Sequence, residues 1–235
     1  MPFPQGDQVV VFGAGGRAGR AVAAEARKRG YRVLGVVRDP GRYPDLAEQP
    51  GFRIVAGDLT DPESAAAVVT GETAALVNAV TPFTAPPDSF DGFDNAYYVH
   101  LVRNLSRAAG TARVVEIGLA ATLKAGDGRL FDDAEAFPPF LRPFAEARVR
   151  GLTAWHDQPG TVDWLVVTPS PALSPEAPPT GRYRLAGDVF EPALAARPLS
   201  YADLAVAVVD QIAAPTRHRE QVAVYAAPLT ASEEG

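Results

Sequence analysis

The chain of 235 residues contains no cysteine. That excludes a disulfide, a thiolate nucleophile and any cysteine-ligated metal, so redox chemistry here has to come from a bound cofactor. No apolar run reaches the roughly 18 residues that a membrane-spanning helix requires. Clustered basic residues are missing as well. The net charge is −6, the pI is about 5.1 and the arginines are scattered, which argues against a nucleic-acid-binding surface. Met1-Pro2-Phe3-Pro4 has no charged segment leading into an apolar one, so the expectation is a soluble, unprocessed, cytoplasmic protein. Internal repeats and low-complexity blocks are likewise absent.

What is present begins at Val9, where Val-Val-Val-Phe-Gly-Ala-Gly-Gly-Arg-Ala-Gly runs to Gly19. A buried strand leads into a glycine turn and then an alanine-rich helix. Gly13 permits the tight turn, Gly16 leaves room for a pyrophosphate near the backbone, and Gly19 lets helix and strand pack closely. Unpaired amides and the positive dipole at the helix start favour phosphate, with Gly15, Arg17 and Ala18 completing the loop. As letters alone a glycine triplet is weak evidence; its position between a strand and a helix strengthens it.

Apolar strand-like runs then alternate with helical segments, the pattern of a parallel sheet with helices on both faces. Strands are predicted at Gln8–Phe12, Arg32–Val37, Phe52–Ala56, Ala74–Asn78, Arg113–Ile117 and Asp163–Thr168. Helices are predicted at Arg17–Arg29, Pro62–Thr70, Phe93–Ala109 and about Pro139–His156, with Asp61-Pro62 as a start signal and Gly30 and Gly110 as stops. After Thr168, a proline-rich stretch predicts a long loop. A strand at Gly181–Leu185, a helix at Tyr201–Ala213 and a strand near Gln221–Tyr225 follow. The reading is an α/β protein of Rossmann type: a doubly wound parallel sheet in a three-layer α/β/α arrangement. One domain is expected over 1–235, with its core at about 6–170 and a small C-terminal substrate-side extension over about 171–235.

The end of the second strand meets the adenosine ribose in such a fold, and here it reads Arg38-Asp39. A carboxylate there accepts hydrogen bonds from the ribose hydroxyls of NAD, whereas an arginine pairs with the 2′-phosphate of NADP. Arg38 comes first and Arg17 adds a second positive charge, so NADP(H) is favoured over NAD(H). The alternative is an ordinary solvated turn with Pro40 and Gly41. Asp58 and Leu59, after the third strand, are candidates to bond the adenine amino group and pack on its ring; Asp58 equally suits a turn cap. Ala79 and Val80 are small enough for adenine and ribose to lie flat.

Further segments carry a family resemblance: Gly57-Asp58-Leu59, Glu116-Ile117-Gly118, Asp163-Trp164, Gly181-Arg182-Tyr183 and Ser200-Tyr201-Ala202-Asp203-Leu204-Ala205. With the glycine loop and Arg38-Asp39-Pro40, they resemble the atypical short-chain dehydrogenase/reductase proteins. Within these, the chain is similar to the NAD(P)H-binding group of NADH-flavin reductase-like proteins, related to biliverdin reductase B and to NmrA-type regulators. The resemblance implies a serine near the nicotinamide in a Gly-Gly-Ala-Gly-Ser-Leu segment. Here that segment is Gly118-Leu119-Ala120-Ala121-Thr122-Leu123, which makes Thr122 the candidate catalytic hydroxyl, with closure of a local turn as its other role.

Ordinary short-chain dehydrogenases use Tyr-x-x-x-Lys to exchange a proton with a carbinol. Tyr97, Tyr98, Tyr183 and Tyr201 are followed four residues on by Leu101, Val102, Gly187 and Ala205. Alcohol chemistry by that route is therefore excluded, whereas hydride transfer to a delocalised acceptor needs mainly the alignment of two planar rings. The expected partner is a planar or conjugated small molecule walled by Phe83 and Phe131, residues that equally suit a loop core. Three histidines, His100, His156 and His218, support no metal site. An NADPH-dependent reductase is the leading reading. A non-catalytic NADP sensor and an epimerase-like or isomerase-like tailoring enzyme are the alternatives, and a homodimer is compatible with each.

Overall fold

Continuous apolar runs in the central strands build a sheet covered on both faces. In the computed structural model, residues 7–228 are described except 48, 84–86, 91, 134 and 136, so Met1–Pro4 lie outside the described residues. Strands β1 (Gln8–Phe12), β2 (Arg32–Val37), β3 (Phe52–Ala56), β4 (Thr73–Asn78) and β5 (Arg113–Ile117) follow the predicted runs to within one residue. The two-residue strands β6 (Lys124–Ala125) and β7 (Gly128–Arg129) form a hairpin. Then come β8 (Trp164–Pro169), β9 (Leu173–Ser174), β10 (Tyr183–Ala186), β11 (Leu199–Ser200) and β12 (Glu220–Ala226). Eight of these strands make one sheet in the order β10-β12-β8-β5-β4-β1-β2-β3, parallel throughout except for β10 against β12.

Val9 and Val11 point to one face and Val10 and Phe12 to the other, and all four are at most 1% exposed. Burial of each such side chain contributes about 1.5–3 kcal/mol. Helices α1 (Arg17–Lys28) and α7 (Tyr201–Ala213) pack together on the Val9 face. Helices α3 (Pro62–Ala67), α4 (Tyr97–Ala108) and α5 (Arg142–His156) cover the Val10 face. Short helices α2 (Pro44–Ala47) and α6 (Pro192–Ala195) lie in the connections.

Helix boundaries follow local chemistry. Asp61 caps α3 by accepting from the Glu63 amide at 3.0 Å, with Pro62 at the first position. Gly30 and Gly110 follow α1 and α4 with φ of +89° and +55°, which a side chain disfavours. Predicted α4 is shorter than expected, starting at Tyr97 rather than Phe93, because Asp94 accepts from the Ala96 amide and holds a preceding turn. The predicted 139–156 helix opens with a separate 3₁₀ turn over Pro139–Leu141.

The proline-rich loop after β8 is anchored by one carboxylate. Asp203, 2% exposed in the first turn of α7, accepts from the amides of Thr180 at 3.0 Å and Gly181 at 2.7 Å and from the Thr180 hydroxyl at 3.1 Å. Ser200 Oγ caps the same helix through the Asp203 amide at 2.9 Å. The sheet runs outward from β1 to β3 and then returns across β1 to β4. This reversal places a crevice between the carboxyl ends of β1 and β4, where ligands of open α/β sheets bind.

Candidate functional site

The glycine loop occupies that crevice. Gly13 has φ +77°, and a β-carbon on it would stand 2.6 Å from the Ala79 carbonyl oxygen at the end of β4. Its amide donates to Val36 O at 3.0 Å, and the Gly16 amide donates back to Gly13 O at 3.0 Å, so the loop folds on itself. A β-carbon on Gly19 would lie 2.2 Å from Gly13 O, which fixes how closely α1 packs on the loop. Gly16 is the N-cap of α1 and offers no side chain, and no acid lies in the first turn. The first amides of α1 are thus left as anion donors. Ala18 is half-buried against the α1/α7 core.

Gly15 has a reason that the sequence did not disclose. The Tyr43 ring covers it, and a β-carbon there would meet the ring at 2.3 Å. Arg20 strengthens this cover by donating from Nε to Gly15 O at 3.0 Å and pairing with Asp45.

At the end of β2, Arg38 and Asp39 are both exposed. The Asp39 carboxylate accepts from the Gly41 amide at 3.0 Å and caps a 3₁₀ turn over Pro40–Arg42. Among the described residues neither the Arg38 nor the Arg17 side chain makes a hydrogen bond or ion pair, although the charge of Arg17 helps hold the Glu176 carboxyl below its ordinary value, after the Ser174 hydroxyl and the backbone. Arg42 extends the same turn and is exposed, its amide donating to Asp39 O at 3.3 Å and its side chain unpaired among the described residues. The Arg-x-x-x-Arg spacing over residues 38–42 was the available signal for it.

Asp58 serves its turn with one oxygen: Oδ1 accepts from the Thr60 amide at 2.9 Å and hydroxyl at 2.8 Å. Its negative charge is felt by Tyr97, whose phenol is pushed above the ordinary tyrosine value by burial first and by Asp58 second. Arg38 and Arg148 oppose that shift, so Tyr97 on α4 stands in reach of the second and third strand ends. Leu59 is 3% exposed in the core beneath α3 and α4, so it belongs to the floor of the crevice rather than to an open ring-stacking surface. Ala79 and Val80 are half-buried and press the β4 end against the glycine loop.

Thr122 and Phe131 are buried and Phe83 is half-buried. Thr122 is 3% exposed, its hydroxyl donates to Leu119 O at 2.8 Å and accepts from Gln221 Nε2 at 2.9 Å. The proton is spent inside a 3₁₀ turn over Ala120–Thr122, which is the turn-closing role. Leu119 is extended at φ −120°, so this path tolerates side chains where the related segment has glycine. Phe131 is 7% exposed and packs with Ala121, Ala145 and Phe137. Phe83 joins an aromatic cluster, 5.4 Å from Phe90 and 5.0 Å from Phe144 between ring centroids. Phe131 thus packs in a loop core, and Phe83 is partly buried at the edge of the core under α4 and α5. His218 pairs with Asp163 at 3.0 Å near the amino end of β8, and His156 lies edge-on to Trp164, both remote from the crevice.

A doubly wound sheet with a glycine turn at its reversal, feeding an uncapped helix, defines a Rossmann-type dinucleotide-binding protein. The chain belongs to the NAD(P)H-binding family, whose profile matches residues 13–215. Its cofactor is a nicotinamide dinucleotide. It is 25% identical over 230 residues to the uncharacterised protein YwnB of Bacillus subtilis, covering 92% of this chain and 97% of that one. Among solved structures it resembles SP1627 of Streptococcus pneumoniae, a candidate NADH-flavin reductase. That match has a TM-score of 0.75 and 23% identity, covering 94% of this chain and 100% of the other. A candidate epimerase of Bacteroides thetaiotaomicron has a TM-score of 0.78 at 24% identity, covering 95% and 99%. These likenesses carry the shared fold. Among the described residues, no helix is long and apolar enough to cross a membrane.

Proposed function

We propose that the protein binds NADPH in preference to NADH and reduces a flavin-like or other conjugated small molecule. The observation that carries the cofactor choice is the division of labour at the end of β2. The Arg38 and Arg17 side chains make no hydrogen bond or ion pair among the described residues, while Asp39 engages one oxygen, Oδ1, in capping its own turn. A 2′-phosphate would satisfy both guanidiniums, whereas a ribose diol would leave their charge unmatched.

In this reading the glycine loop and the first amides of α1 hold the pyrophosphate, and Asp58 Oδ2 accepts from the adenine amino group. The bound cofactor supplies a hydride, and the chain's contribution is to hold two planar rings in register. The absence of a Tyr-x-x-x-Lys pair and the spent hydroxyl of Thr122 favour an acceptor that needs no protein acid. The same two observations support a second reading, an NADP-sensing protein without turnover.

Titration with NADPH and NADH, followed by nicotinamide fluorescence, tests the binding. Arg38→Ala should weaken NADPH about 10-fold to 100-fold, the equivalent of about 1.5–3 kcal/mol, and leave NADH unchanged. Equal loss for both cofactors would contradict the role given to Arg38. NADPH oxidation in the presence of FMN, riboflavin or a quinone supports the reductase, and tight binding without oxidation supports the sensor. Substrate conversion with no net NADPH consumption would instead indicate an epimerase-like or isomerase-like enzyme.

A further inference from the structure

The carboxylate of Glu116, at the carboxyl end of β5, is 3% exposed and surrounded by donors. Its Oε2 accepts from Asn78 Nδ2 at 3.1 Å and from Trp155 Nε1 at 3.1 Å. Its Oε1 faces Arg148 Nη1 at 3.4 Å, and the same nitrogen donates to Ile117 O at 3.1 Å. Only an acceptor-only group can serve all three side chains at once.

We infer that Glu116 is a positioning residue that sets the cofactor crevice by holding the ends of β4 and β5 in fixed relation. Two arms run from it. Through Asn78, whose Oδ1 accepts from the Val80 amide at 3.1 Å, it fixes the turn in which Ala79 N donates to Phe12 O at 2.9 Å and Ala79 O presses on Gly13. Through Arg148 it holds the carbonyl of Ile117, just before the Gly118 loop.

A buried ion pair is a poor stabiliser, because desolvating two charges offsets most of their attraction, and an apolar replacement is often as stable. Its use is orientation. The placement agrees: this network lies at the cofactor edge of the sheet, at the ends of β5 and β4, and β4 pairs with β1, which carries the glycine turn. The pairing of Arg113 with Asp163 sits where β5 and β8 begin, at the opposite edge.

This inference rests on the dinucleotide reading above, and the test separates the two. NADPH and NADH affinities are measured by nicotinamide fluorescence for the native chain, Glu116→Gln, Asn78→Ala and the control Asp163→Asn, with circular dichroism to establish folding. Failure of the native chain to bind either cofactor would defeat the binding proposal itself. Given native binding, Glu116→Gln and Asn78→Ala should each weaken both cofactors by about tenfold or more. The NADPH-to-NADH ratio should stay constant, because the strand ends act on the shared part of the dinucleotide. Asp163→Asn should lower Tm and leave both affinities unchanged. Should Glu116→Gln fail to fold, Asn78→Ala decides, since it cuts only the arm to Val80. Native affinity in a folded variant overturns the inference, and so does a comparable loss in Asp163→Asn, which would reduce the effect to stability.

Discussion

The carbonyl oxygen of Ala79 leaves no room for a side chain on Gly13, since a β-carbon would stand 2.6 Å from it. Gly13 is also held at φ +77°, where an L-residue loses about 1–2 kcal/mol. Gly13→Ala should therefore lower Tm and weaken NADPH and NADH together by more than about tenfold, because relieving the clash moves the glycine loop from the β4 end. Fluorescence titration beside a thermal melt checks both effects.

Tyr98 offers a prediction of the opposite sign. It is 0% exposed, the Arg148 guanidinium lies 3.9 Å from its ring centroid, and its hydroxyl has no hydrogen-bond partner among the described residues. Removing a buried, unpaired polar atom should stabilise the fold by about 1 kcal/mol. Tyr98→Phe is expected to raise Tm by about 2–4 °C, read in a thermal scan. A fall in Tm would mean that the hydroxyl is bonded.

Asp203 tests the anchoring of the proline-rich loop. An asparagine cannot accept at both former oxygens from the donors of Thr180 and Gly181. Asp203→Asn should cost about 2 kcal/mol in urea denaturation, with far-UV circular dichroism of the folded protein unchanged.

The pH dependence on the alkaline side follows from Tyr183. Its hydroxyl donates to Asp210 Oδ2 at 2.8 Å, and burial first, then Asp210, raises its pKa above the ordinary value of 10.0. Folding favours the protonated phenol, so this contribution is complete below pH of about 10 and is lost as pH rises through the higher folded value. Urea midpoints should fall above pH of about 10, and Tyr183→Phe should make that fall shallower.

Strand positions were legible because a doubly buried strand is written in its own residues. Val9–Phe12 and Val33–Val37 have no competing pattern, and β1, β2, β3 and β5 match the predicted bounds. Helix starts were less legible where a turn intervenes, as at Asp94 before α4. In the candidate site, the glycine loop and Arg38 are written in local residues, so the sequence marks them as candidates by itself. Thr122, Leu59, Phe83 and Phe131 were not so readable. Whether a hydroxyl or a ring faces a ligand or a core depends on partners far along the chain, such as Gln221 for Thr122 and Phe144 for Phe83.

By itself the sequence determined the alternating pattern that makes a doubly wound sheet, the glycine turn that requires positive φ, and the lack of a Tyr-x-x-x-Lys pair. Each depends on neighbours within a few residues. Tertiary structure alone decided that Tyr43 covers Gly15, that Asp39 caps its own turn through one oxygen, and that Glu116 gathers Asn78, Arg148 and Trp155 beneath the crevice. Two of those contacts join residues distant in the chain. The third is a local competition for one carboxylate, which backbone geometry settles and composition does not.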